Sequence, residues 1–420
     1  MRVARAVGIL GLAALFGCLL DRGPAAPGAA CSLSGSGAAE SPGSPQTLSV
    51  LGCGLVDSRF TAEVAVRGSV AYTTTWGMRA APGDLIAVWD VSGASPMLVD
   101  TIVVSGASTL GDVAVSDDGT LLVVATERVD GSLVIFDLAD PRHPRQLARL
   151  ATPETYNGVH TAEIGRVNGR LYAVLAIDDL NGAPSPGSKV VIVDLGDPAN
   201  PRQVFVKAVS GSAPFVHDSF LRDGLLFVAL WNQGVEIWDV GGGGRGGSPQ
   251  APVVLGTAAT VGGDAHNVWW LHDPVTGSRR YAFVGEESGP AQIGFSSAGD
   301  IHVVDVSDLS NPREVAFFHV PGAGTHNFSV DESAGVLYAA FYNGGVRALD
   351  VRGDLGTCTA AQQSTTSGVT RCDLAAMGRE VGRGLAAGSP RVYVWGVQLA
   401  NDVLYASDML NGLWKLQTVR

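Results

Sequence analysis

Apolar residues in this chain fall in short, nearly unbroken runs, and one run keeps returning. IAVWDV, LVIFDL, VVIVDL, VEIWDV, HVVDV and VRALDV place Asp90, Asp137, Asp194, Asp239, Asp305 and Asp350 at the same point of successive units. Runs rich in Val, Ile and Leu, bounded by Gly, Pro, Asn and Asp, read as strands punctuated by tight turns. Self-similarity at this spacing marks a repeat architecture. The third copy is the clearest: VHTAEIGRV, a turn at Asn168-Gly169, RLYAVLAI, a loop, KVVIVDL, the turn GDPANPR, and QVFVKAV. Four strands in this order predict one blade of a propeller.

The same order begins near residues 61, 112, 160, 217, 266, 326 and 395, which predicts an all-β, seven-bladed β-propeller over 47–420. The last copy stops after VWGVQLA, VLYASDM and GLWKLQTV, so TLSVLGCGL, residues 47–55, is expected to supply its outer strand and close the ring. Closure would remove the open sheet edges that invite aggregation. Insertions interrupt the pattern at 286–299 and 353–390, and no clear outer strand follows Asp350 in the sixth blade. The strand-end aspartates are expected to accept backbone N–H bonds from two residues on, shaping the next turn, and not to act as catalytic acids.

KVVIVDLGDPANPRQV, LVIFDLADPRHPRQL and IHVVDVSDLSNPREV together resemble the LVIVD repeat of bacterial exported β-propellers. The resemblance covers most of 60–420. It implies a propeller in an extracytoplasmic setting and assigns no single reaction.

The N-terminus agrees with export. Arg2 and Arg5 precede the apolar run AVGILGLAALFGCLL, so residues 1–20 read as a secretory signal and 21–46, rich in Gly, Pro, Ala and Ser, as a flexible tether. Leu15-Phe16-Gly17-Cys18 is similar to the bacterial lipobox, which makes Cys18 a candidate for lipidation, with simple secretion as the alternative. Of the other cysteines, the sequence-local pairs are Cys31 with Cys53 and Cys358 with Cys372, one of three possible pairings. A net charge of −12 and only three lysines argue against a nucleic-acid partner. Membrane contact is expected only through an N-terminal lipid, and the protein is expected to be a monomer.

One constellation carries chemistry. Four blades start their innermost strand with histidine, at His160, His217, His266 and His326, while the other three place roughly Thr61, Asp112 and Trp395 or Gly396 there. Innermost strands line a propeller's channel, so these imidazoles should form a partial ring. The second strands end on the same face and carry Glu127, Asp178, Trp231, Glu286, Glu287 and Tyr342. Neutral imidazoles bind Fe, Cu or Zn, and carboxylates behind them orient the rings. In layout alone this is similar to the carotenoid cleavage oxygenases and, more loosely, the selenium-binding proteins. That likeness implies His160, His217, His266 and His326 as ligands of one transition metal, with Glu127, Glu163 and Glu286 behind them. The alternative is that the histidines lock blade to blade. Trp231 and Tyr342 are candidates to stack a ligand at the mouth.

Two functions therefore stand open: a binding or interaction module for a small molecule, glycan or protein at the histidine face, or a metal-dependent oxidoreductase. A purely structural scaffold is the third. GGGGRGG at 241–247 satisfies a phosphate-loop pattern formally but has no helix after it, and GxSxG, HExxH and Walker sequences are absent.

Overall fold

The computed structural model describes residues 44–419 other than 57, 79–80, 180–186, 211–214, 293 and 386–390, and of 289–292 the backbone. Cys18, Cys31, the signal and nearly all of the tether lie outside the described residues. Seven antiparallel sheets follow one another around an axis, built from residues 60–103, 110–150, 159–208, 218–258, 265–318, 328–384 and 394–417.

Ring closure takes the expected route. Val50–Gly54 pairs antiparallel with Gly412–Gln417, so the seventh blade joins both ends of the described chain. The strands read as continuous apolar runs because each blade packs on two neighbours. Every one of the seven blade-to-blade interfaces has its own buried apolar cluster. The closing interface, between blades seven and one, is made by Val64, Val66, Trp89, Tyr405 and Leu413.

The sixth blade corrects an expectation. Its outer strand exists, as Glu380–Gly384, after an excursion that begins beyond Asp350. Gln46–Thr47 then pairs parallel with that strand. The excursion itself carries the hairpin Gln363–Thr366 and Val369–Asp373, which docks parallel on the outer strand of blade five at Ala316 and Phe317. Cys358–Cys372 closes the base of this hairpin, a constraint worth about 3 kcal/mol in the loop-entropy account. Cys53 is also disulfide-bonded.

The strand-end aspartates act as turn formers. Asp90, Asp137, Asp194, Asp239, Asp305 and Asp350 each accept a backbone N–H from the second residue on, at 2.8 to 3.0 Å. Asp239 goes furthest: the amides of Gly241, Gly243, Arg245 and Gly247 all converge on it. The glycine run thus spends its N–H groups on a carboxylate of its own chain. Burial works against the Asp239 charge, but these amides outweigh it and hold the carboxyl at about 2.

Two outcomes follow from this. Asp239→Asn should lower stability by about 1–3 kcal/mol at neutral pH. Because the folded group is depressed below its unfolded value near 3.9, the difference from wild type is complete above about pH 4 and fades as pH falls through about 2; denaturant melts across that range read it directly. Removing the chain through Gly54 should expose the edge of Gly412–Gln417, seen as a lower melting temperature and concentration-dependent association in light scattering.

Candidate metal centre

The histidines stand at a distinctive point of the backbone. In blades one, two, three, five and seven the inner strand shifts register within its first residues, at Thr61/Val64, Leu110/Val113, Val159/Thr161, Ala265/Val268 and Val394/Val397. A bulge re-aims a side chain, and here it brings the residue next to the strand start to the axis. By this register the non-histidine blades contribute Thr61, Gly111 and Trp395. Gly111, and not Asp112, is the counterpart in blade two, and a Cβ there would come within 2.7 Å of the His160 carbonyl.

The four imidazoles touch in succession. Successive ring centroids lie 4.3 Å apart from His160 to His217, 3.9 Å to His266 and 4.1 Å to His326. His217, His266 and His326 are 5%, 2% and 8% exposed. His160 Nε2 is 2.9 Å from His217 Nε2. Glu287 Oε2 lies 3.6 Å from His217 Nε2 and 3.8 Å from His266 Nε2. Two donors about 2.1 Å from one ion, at octahedral or tetrahedral angles, stand roughly 3.0–3.4 Å apart, so these separations are close to those of a shared ion.

Outer contacts orient the rings. His160 Nδ1 faces Glu127 at 3.2 Å and Asp178 at 3.5 Å. His326 Nδ1 lies 2.9 Å from the Trp395 carbonyl, which can only accept, so this nitrogen carries the hydrogen and Nε2 the lone pair of the neutral ring. Glu63 Oε1 stands 3.3 Å from the same Nδ1. His217 Nδ1 and both ring nitrogens of His266 are buried without a hydrogen bond, which costs about 1–3 kcal/mol per group if nothing else binds there.

Electrostatics divides the four. Burial pushes His217 and His266 well below the usual histidine range, helped by the neighbouring imidazoles, and takes His326 to about 3. These three are neutral at pH 7. Burial opposes charge on His160 too, but Glu127, Asp178 and Glu287 outweigh it and raise the ring to about 10.

Blade locking is real but falls largely on other residues. Thr161 Oγ1 donates to the His217 carbonyl at 2.9 Å, Asp112 accepts from Ala162 N at 2.8 Å, and Asn327 N donates to the Trp395 carbonyl at 3.2 Å. His326 joins them through Nδ1 and His217 through Nε2, against His160 of the blade before, whereas His266 has no such side-chain partner.

The remaining expected site residues separate. Glu127 lies against His160. Glu163 sits deeper in the channel, accepting from Leu221 N at 3.2 Å, and burial with Asp218 and Asp112 nearby raises it to about 8; it is not behind an imidazole. Glu286 turns away, accepting from Asp300 N at 3.0 Å and facing His302 Nε2 at 3.3 Å. Its neighbour Glu287 takes the place expected of it. Consecutive residues at a strand end point to opposite sides, which is why the pair could not be told apart by spacing. Trp231 is half-buried and stacks on His217 with centroids 5.2 Å apart. Tyr342 is buried, 2% exposed, and its hydroxyl donates a close hydrogen bond to Glu287, so it faces the site and not solvent.

His302, which the repeat pattern marks as an ordinary third-strand residue, is fully buried between Glu314, at 2.8 Å from Nδ1, and Glu286. Arg371 of the disulfide-bearing hairpin closes on Glu314 from the far side. Two carboxylates and two cations therefore balance beside the site.

No protein family's sequence profile matches the chain, and no curated protein matches it. Solved structures do. The structure of U3-55K is similar with a TM-score of 0.58 and 13% identity, over 89% of this chain and 100% of that one. The β-propeller domain of Myceliophteria thermophila Cps50 (Swd1) is similar with a TM-score of 0.57 and 11% identity, over 90% of this chain and 100% of that one. The likeness is one of fold: a seven-bladed β-propeller.

The buried quartet predicts a pH effect. Burial disfavours charge on His302, but hydrogen bonds and attraction from Glu286 and Glu314 raise it to about 9. Its folded value exceeds the unfolded one near 6.5, so its stabilisation is complete below about pH 6.5 and is lost as pH rises through about 9. His302→Gln should remove that alkaline step and cost about 3–5 kcal/mol at pH 6, both read from urea melts.

Proposed function

We propose that His160, His217, His266 and His326, with Glu287 beside them, hold one transition-metal ion and that the protein is a metal-dependent oxidoreductase. The observation that carries this is the convergence of His217, His266 and Glu287, whose donor atoms lie within 4.8 Å of one another, with both buried ring nitrogens of His266 left without a hydrogen bond. Neutral imidazoles suit Fe, Cu or Zn, and only the first two exchange electrons readily. Such an ion would supply redox or Lewis-acid chemistry. The chain's own residues do the rest: Glu127 and the Trp395 carbonyl fix ring orientation, and the carboxylates that otherwise keep a proton on His160 become the counter-charge of a cation.

Kinship with the LVIVD-repeat propellers and an extracytoplasmic location, lipid-anchored in the cell envelope or secreted, belong to the same reading. They are supported by the strand-end Asp turns, the signal-like N-terminus and disulfide-bonded Cys53, Cys358 and Cys372. A second reading, a binding module for a small molecule, glycan or protein, draws on half-buried Trp231, Phe215 and Trp76 around the imidazoles.

Untagged protein reconstituted with Fe, Cu or Zn should retain about one ion per chain by elemental analysis. Glu127→Gln should weaken binding about 10–100-fold, and His217→Ala should weaken it further while the fold, followed by circular dichroism, persists. Failure to retain any of the three ions would remove the oxidoreductase reading and leave the binding module.

A further inference from the structure

Glu287 is shared between two kinds of group. Its Oε2 faces the His217 and His266 nitrogens at 3.6 and 3.8 Å, and its Oε1 accepts the hydroxyl hydrogen of Tyr342. Tyr342 is buried at 2% exposure. Its ring lies 5.0 Å from His326, 4.5 Å from Tyr393 and 6.5 Å from Trp395. Trp395 stacks on His326 at 5.2 Å and meets half-buried Trp76 at 4.9 Å. An unbroken set of aromatic rings therefore runs from the imidazoles to a residue that reaches solvent.

The hydrogen bond gives the phenol a capacity that packing alone would not. Losing an electron makes a phenol strongly acidic, and in a buried site the proton must leave with the electron, since an unpaired buried charge is costly. Here an acceptor already holds that hydrogen. Before oxidation the pair is a neutral phenol and a half-buried carboxylate; afterwards it is a neutral phenoxyl radical and a neutral carboxyl, so partial desolvation favours the product pair.

We propose that Tyr342 is a one-electron redox group coupled to Glu287. One electron passes to a one-electron oxidant, which is reduced, while the O–H bond of Tyr342 breaks and the proton forms a new O–H bond on Glu287 Oε1. The Trp395–Trp76 pair is placed to carry the oxidising equivalent outward. The proposal takes from the metal reading only the natural oxidant, an oxidised transition-metal ion next to Glu287. The tyrosine chemistry itself needs no metal.

The test accordingly uses metal-free, full-chain protein and supplies its own oxidant: photogenerated ruthenium(III) tris-bipyridine with a cobalt(III) quencher, followed by transient absorbance and freeze-trapped electron paramagnetic resonance. A neutral tyrosyl radical is expected, absent in Tyr342→Phe. In Glu287→Gln, whose carboxamide keeps the hydrogen bond but is no base, it should form at least about 100-fold more slowly. The same radical in Tyr342→Phe would overturn the proposal. Should that variant misfold, an unchanged rate in Glu287→Gln would overturn it alone. Loss of metal binding with the radical intact would sink only the metal reading, and the converse only this one.

Discussion

Everything at the axis depends on one backbone pairing, between Val50–Gly54 and the strand Gly412–Gln417. Seven sheets packed side by side bury apolar faces only if the last also meets the first, and the cluster of Val64, Trp89, Tyr405 and Leu413 is that seventh contact. Open the ring and two blades expose a core face and a strand edge. Closure also fixes the curvature that makes residues at 160, 217, 266 and 326, far apart along the chain, touch in succession.

With the ring closed, the channel must accommodate polar groups in a desolvated space, and the chain does so in two ways. Deeper in the channel, carboxylates and amides bond the backbone of adjacent blades: Asp112 holds Ala162, Glu163 holds Leu221, and Gln398 accepts from Val66 N at 2.7 Å. Burial and mutual repulsion raise Glu163 and Asp218 each to about 8, so protonation limits the charge there. At the mouth the groups are mostly imidazoles that shed charge by staying neutral. Asp112, Glu163 and Gln398 have protein partners, whereas His217 Nδ1 and both nitrogens of His266 lack them.

The repeat made the fold readable because its signals are local: a buried apolar run, an aspartate, and a turn that its own carboxylate caps. The histidines were readable for the same reason, each recurring at one point of the unit. What escaped depended on side-chain direction or on distant contacts. EVGRG, at 380–384, is too glycine-rich to stand out as a strand, and it becomes one by pairing with Val346–Leu349 across the excursion. His302 read as an ordinary strand residue because Arg371, which completes its surroundings, lies beyond five further strands of the chain. Glu286 and Glu287 are chemically identical, and only the pleat assigns one to the quartet and the other to the imidazoles.

The two strained turns tie these levels together. Trp231 and Tyr342 have φ of 49° and 41°, a left-handed conformation that bulky residues avoid at about 1–3 kcal/mol each. They occupy matching places in ALWNQG and AFYNGG, where blades four and six turn from second to third strand. In each turn the strained residue's carbonyl accepts from the start of the next blade, Ala265 N at 2.9 Å and Val394 N at 2.9 Å. The residues that follow are His266 and Trp395, the channel residues of those blades. The strain therefore does two things at once: it aims an indole or a phenol at its own blade's histidine and fixes the backbone that carries the next ring. A turn residue serving only the loop would be better as glycine, which takes this conformation freely; the aromatic side chain is what makes the cost worthwhile at the mouth of the channel.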